Sequence, residues 1–181
     1  KLHADAAVYY MRVRDLQLSV MAGDYGYGRQ MINAGRSSSC GLELSLRGTA
    51  LDNRFTWAAT YGYTHSQLLD YEDNQVPFIP THTFSAMTDY RIGKFTFGLN
   101  VAGNGPTYWD VDNEYRQKLY ATLGAHAMVD FGCIKLNVWG RNLTDTKYNT
   151  MLVNSSIDGT NRSFAQQGNP LQIGADLIMH F

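Results

Sequence analysis

Residues 170–181 read PLQIGADLIMHF. From Leu171 every second residue is apolar: Leu171, Ile173, Ala175, Leu177, Met179 and Phe181. Between them stand Gln172, Gly174, Asp176 and His180, with Ile178 the exception. Side chains of an extended strand point alternately to opposite faces, so this period of two predicts a β-strand with one apolar face. Chain ends are ordinarily small, polar and loosely held. Here the alternation runs unbroken to a large aromatic.

The same pattern recurs upstream. In IKLNVWG, Ile134, Leu136 and Val138 oppose Lys135, Asn137 and Trp139. In LYATLGAHAMVDF, the face from Leu119 to Phe131 opposes Tyr120, Thr122, Gly124, His126, Met128 and Asp130. FTFGLNV, FSAMTDYRI, FTWAATYGY and CGLELSLRG repeat it, and LHADAAVYY repeats it loosely. This makes about eight segments of period two and no convincing helical period, an all-β antiparallel chain. The connections alternate in length. Short ones fall near 49–53, 93–94 and 130–133, and long ones near 20–30, 69–82, 103–115 and 143–169.

Composition narrows the class. The chain has 181 residues and a formal net charge of −1, so no basic footprint points to nucleic acid. Charged residues are 17%, below the usual quarter, and aromatics 13%. No apolar run approaches the roughly 18 residues of a transmembrane helix. A mean hydropathy of −0.30 is that of a soluble protein, yet a barrel strand hides its lipid face in alternation. The start, KLHADAAVYY, has no signal-peptide core, so a removed signal or a longer parent chain is expected. Cys40 and Cys133 make no disulfide framework. The triplets beginning at Asn142, Asn154 and Asn161 match a glycosylation pattern that arises often by chance.

Both a soluble sandwich and a membrane barrel alternate. Aromatics gather toward the strand ends of the apolar face, at Phe55, Tyr63, Phe84, Phe131 and Phe181. The opposite face is polar in nearly every strand. With the short-long rhythm of connections, this favours a transmembrane barrel with short turns at one rim and long loops at the other.

Three stretches then resemble a family. INAGRSSSCGLELSLRG (32–48), VPFIPTHTFSAMTDYRI (76–92) and VWGRNLTDTKYNT (138–150), in this order and followed by the terminal alternation, resemble TonB-dependent outer-membrane receptors. The resemblance covers nearly the whole chain. It implies a barrel of about 22 strands with a plugged lumen, of which residues 1–181 form the C-terminal eight or so. The plug and the segment that contacts TonB are then expected outside this sequence. Implied partners are outer-membrane lipid, the remainder of the barrel, the plug, TonB and a small-molecule ligand such as an iron-siderophore, another metal chelate, a vitamin or a glycan. Implied localisation is the bacterial outer membrane. The resemblance also implies that the terminal strand and Phe181 act as an assembly signal.

No catalytic constellation is visible, and neither an enzyme nor a cofactor is expected. The acidic stretches DYEDNQ (70–75) and DVDNE (110–114) do not match a calcium loop. Five histidines show no metal-ligand spacing. GNGPTY (103–108) is not followed by a helix and so is no phosphate loop. The long loops carry aromatic and basic residues, among them Tyr25, Tyr27, Arg29, Phe78 and Phe164. Tyr71, Tyr108, Trp109, Arg116 and Arg162 are the candidate substrate contacts, because aromatics offer stacking surface and arginine pairs with carboxylate or catecholate oxygens. Loop self-packing is the competing reading for each.

Two rivals remain at this point: a self-contained eight-stranded barrel of adhesive or structural role, and a soluble ligand-binding barrel. A further expectation is that Cys40 and Cys133 are unbonded, since they lie toward opposite ends of the strands and a disulfide needs Cα atoms within about 7 Å.

Overall fold

The computed structural model describes residues 1–21, 29–157 and 160–180. Tyr25, Tyr27 and Phe181 lie outside the described residues. The strands are β1 (Leu2–Val13), β2 (Gln17–Met21), β3 (Arg29–Asn33), β4 (Ser37–Ala50), β5 (Phe55–Leu68), β6 (His82–Ile92) and β7 (Phe95–Asn104). They continue as β8 (Thr107–Tyr108), β9 (Arg116–Gln117), β10 (Tyr120–Asp130), β11 (Ile134–Arg141), β12 (Asn149–Ile157), β13 (Thr160–Gln167) and β14 (Gln172–Met179). Eight of them form one sheet in the order β1-β4-β5-β6-β7-β10-β11-β14. All neighbours are antiparallel, and the order follows the chain.

The register joins the apolar faces of the strands into one surface. Val8 pairs with Leu42, and Leu42 with Tyr63. Tyr61 pairs with Phe84, and Tyr90 with Phe97. Val129 pairs with Leu136, and Leu136 with Leu177. A slip of one residue would turn any of these sets to the other face, so the alternation itself fixes the register.

That surface is bare. Val8 is 81% exposed, Leu99 58% and Ile173 72%. Among the described residues only Ala34, Leu68 and Val76 form a buried apolar core, and they lie at one rim. A soluble sandwich or ligand-binding barrel turns its apolar face inward and covers it. Here the apolar face is continuous and uncovered by protein, as a lipid-facing wall requires.

The sheet is open. Among the described residues β1 and β14 are its two ends, each paired on one side only. This excludes the self-contained eight-stranded barrel, which needs its first and last strands joined.

The short connections all fall at one rim: 51–54, 93–94 and 131–133. In the second, Gly93 has a φ of +58°, and an added Cβ would meet nothing within 4 Å. Backbone conformation alone therefore favours glycine there. The long connections fall at the other rim. They are not the plain loops expected from sequence: three carry two-stranded ribbons, β2–β3, β8–β9 and β12–β13. Cys40 and Cys133 are free and exposed. Cys133 lies in a short turn, whereas Cys40 pairs with His65 toward the long-loop rim.

Candidate functional site

The long-loop rim holds every candidate contact residue. Its base is the core of Ala34, Leu68 and Val76, against which Leu16, Leu18, Tyr71, Ile79 and Val111 pack. Three connections contribute: the segment between β1 and β4, the one between β5 and β6, and the one between β7 and β10. Polar ties lock them together. Arg36 donates from Nη2 to Asp70 Oδ1 at 2.7 Å and from its backbone N–H to Asp70 Oδ2 at 2.7 Å. The Arg36 guanidinium holds the Asp70 carboxyl below its ordinary range, chiefly through the side-chain hydrogen bond. Asn113 Nδ2 donates to Gln75 O at 3.0 Å, and Gln75 N–H donates back to Asn113 Oδ1 at 2.7 Å.

One carboxylate of each acidic stretch is taken up by this architecture. Asp70 is the partner of Arg36. Asp110 accepts from the backbone N–H groups of Glu114 and Tyr115 at 3.0 and 2.9 Å, folding its own turn. Among the described residues no cluster of His, Cys, Asp and Glu could hold a metal ion.

Three of the candidate residues come together. Tyr108 and Arg116 face each other across the β8–β9 ribbon, with the guanidinium carbon 6.0 Å from the ring centroid. Trp109 follows at once and meets Phe78 edge-on at 5.6 Å. The Phe78 N–H donates to Tyr108 O at 2.8 Å, which fastens the β5–β6 connection to the ribbon. The Trp109 Nε1 donor is buried and has no acceptor. Tyr71 is half-buried against the loop core. Arg162 is apart, exposed on the β12–β13 ribbon.

Below the ribbon, on the polar face of the sheet, lies a groove of about 260 Å³ lined by Thr60, Thr83, Ser85, Asn104, Tyr120 and Tyr148 among others. Thr60 and Ser85 share a hydrogen bond of 2.7 Å. Tyr120 and Tyr148 stack with centroids 4.2 Å apart and planes 10° from parallel. Asn104 Nδ2 donates to Tyr120 Oη at 3.3 Å. No charged side chain lines it. The arrangement can stack against and hydrogen-bond a neutral surface, and it offers no nucleophile paired with a base.

Residues 1–143 match the family model of the TonB-dependent receptor-like β-barrel. The chain belongs to this family. A pesticin receptor of Yersinia enterocolitica is 30% identical over 154 residues, 80% of this chain and 22% of the relative. The ferric yersiniabactin uptake receptor of Yersinia pestis superposes with a TM-score of 0.85 at 24% identity, covering 99% of this chain and 28% of that one. The siderophore receptor PiuA of Acinetobacter baumannii gives 0.74 at 21% identity, over 97% and 25%. The chain thus spans about a fifth of the length of the curated relatives it matches. TonB-dependent receptors are outer-membrane proteins of Gram-negative bacteria and not enzymes. In such barrels the short turns are periplasmic and the long loops extracellular, which assigns the two rims of the sheet.

In the sequence of this receptor wall the groove leaves no trace, because its side chains come from separate strands and meet only through register. Asn142 leaves only a partial one. That residue was visible inside the N-L-T-D-x-x-Y stretch, but only as a family marker. Its side chain is buried and ties β11 to the segment leading into β14.

Proposed function

We propose that residues 1–181 are the C-terminal part of a TonB-coupled importer whose remaining barrel strands, plug and TonB-contacting segment lie elsewhere in the parent protein. Its cargo is a ferric siderophore. The observation that carries the cargo reading is the Tyr108, Trp109, Phe78 and Arg116 constellation on a braced extracellular ribbon. Two aromatic surfaces and an exposed guanidinium suit a planar, oxygen-rich, anionic chelate. Ferric yersiniabactin uptake by one structural relative, and the siderophore receptor role of another, agree with this class. Tyr71 packs into the loop core at the base of the rim, and Arg162 offers a second cation from the β12–β13 ribbon. Transport proceeds by binding and plug rearrangement, with no chemistry on the cargo.

The test uses the full-length receptor in an iron-starved Gram-negative host, with radiolabelled iron supplied as an aromatic siderophore chelate. Uptake is expected to require TonB. Arg116→Ala is expected to weaken chelate binding roughly tenfold or more at normal surface abundance, as loss of a charge-assisted hydrogen bond of about 1.5–3 kcal/mol implies. Full uptake without TonB would refute the coupling. Unchanged affinity in both Arg116→Ala and Tyr108→Ala receptors would refute the role of the ribbon.

A further inference from the structure

Among the described residues, ten that are not glycine have a left-handed φ. Seven of them are Asp or Asn, which tolerate it. Leu51 and Glu72 each stand beside such a residue in a left-handed run. Phe78 is the one aromatic and stands alone, with a φ of +65°. Pro77 precedes it with a fixed φ, so the pair makes a turn whose second position ordinarily takes Gly or Asn. A Phe there is strained, because its Cβ crowds the following carbonyl.

The surroundings hold this strain in place. The Phe78 N–H donates to Tyr108 O at 2.8 Å, and the Thr81 N–H donates to Pro106 O at 3.0 Å. Val76 and Pro77 are buried, and Ile79 packs against the loop core. These contacts fix the turn, but they do not call for a ring. Glycine would make the same backbone hydrogen bond without strain. A ring kept for packing would be covered. Phe78 is 46% exposed, while residues 76, 77 and 79 turn inward. Its contact with Trp109 is edge-on, at 64°, so the two rings do not stack. Tyr108 and Trp109 are themselves half-buried, and Tyr108 already faces the Arg116 guanidinium. Strained residues persist only where their surroundings over-determine them, and they gather at ligand clamps.

We propose that Phe78 is the ring that selects the cargo: it stacks with an aromatic ring of a catecholate- or phenolate-type ferric chelate and so favours ring-bearing chelates over ring-less ones. The inference rests on the cargo reading above and narrows it. The braced turn presents the ring in one orientation, so little freedom is lost when a cargo ring meets it. Arg116 answers the charge of the chelate, and Phe78 answers its shape.

The experiment uses the full-length receptor in detergent with two probes, a ferric tris-catecholate and a ferric trihydroxamate. Heat-modifiable gel migration confirms that each variant is a folded barrel. Wild type should bind the catecholate more tightly. Phe78→Gly should weaken catecholate binding roughly three- to tenfold, the worth of one aromatic pair, and leave trihydroxamate binding unchanged. Phe78→Tyr, which keeps a ring, should retain catecholate affinity. Hydrogen exchange at the residue 78 amide reads the turn itself. Protection should persist in Phe78→Gly, since glycine accepts the left-handed φ. Lost protection would make the ring a packing element and overturn the proposal. Intact protection with unchanged catecholate affinity would overturn it too, and a weakened Arg116→Ala receptor in the same assay would then leave the cargo reading standing. A wild-type receptor that binds neither chelate would bring down the cargo reading and this inference with it.

Discussion

Asn142 binds three backbone groups at once. Its Nδ2 donates to Thr146 O at 3.0 Å and Asn169 O at 2.9 Å, and its Oδ1 accepts from Thr146 N–H at 2.9 Å. Its own φ is +48°, which asparagine tolerates better than most residues. Nearby, Asp145 Oδ1 accepts from Leu171 N–H at 3.0 Å. The stretch that marked the family in sequence is therefore a clamp between β11 and β14, and only coordinates assign these roles. Asn142→Ala should destabilise the refolded full-length receptor by about 1–3 kcal/mol, since half-buried backbone groups lose their partners. A urea unfolding midpoint equal to wild type would contradict this. The Arg36–Asp70 tie carries a pH signature. Its carboxyl is depressed in the native state, so the stabilisation is complete above the ordinary carboxylate value near pH 4. It is lost as pH falls through the lower native value. The Arg36 amide, bonded to Asp70 Oδ2, should therefore show a hydrogen-exchange protection factor that falls below about pH 4. Protection unchanged down to pH 2, a range the Asp70→Asn receptor can calibrate, would mean that the carboxylate charge is not what holds the loops.

At the level of strands, the sequence could be read because lipid selects every second residue on all eight spans. Leu177 is 57% exposed on the outward face, while its neighbour Asp176 accepts from Asn137 Nδ2 at 3.1 Å on the inward one. A lysine near the bilayer midplane costs roughly 2–4 kcal/mol on the lipid face and little on the lumen face. Leu177→Lys should accordingly reduce assembled receptor, read as heat-modifiable band intensity, far more than Asp176→Lys does. Equal losses would mean that the faces have been exchanged. The ribbons β2–β3, β8–β9 and β12–β13 were not legible. They stand above the membrane, so no medium imposes a two-residue period on them. β8 and β9 are also only two residues each, Thr107–Tyr108 and Arg116–Gln117. Their geometry comes from contacts distant in sequence, such as Asn113 with Gln75, which no local pattern announces. For the same reason residue type alone could nominate Tyr71, Tyr108 and Trp109 together. It could not separate a ring that packs into the loop core from rings carried by the ribbon and its turn.

For the molecule as a whole, the decisive feature is the pair of unpaired ends. β1 and β14 each present a free row of N–H and C=O groups, and in lipid every such group costs several kcal/mol. Closing β1 directly onto β14 would remove that cost but create another. An eight-stranded barrel is just wide enough for its side chains to fill. The inward face also carries polar groups, among them Asp89, 3.3 Å from His126, that a wide lumen can hydrate and a narrow one cannot. The sheet is thus suited to a larger ring and poorly suited to closing on itself. Residues 1–181 expressed alone and refolded in detergent should give no heat-modifiable monomer. Supplying the remainder of a receptor barrel as a second chain should restore one, with strands on either side of β1 and β14. A compact heat-modifiable monomer formed by residues 1–181 alone would show that the open edges can join, and would refute the larger ring as the native setting of this wall.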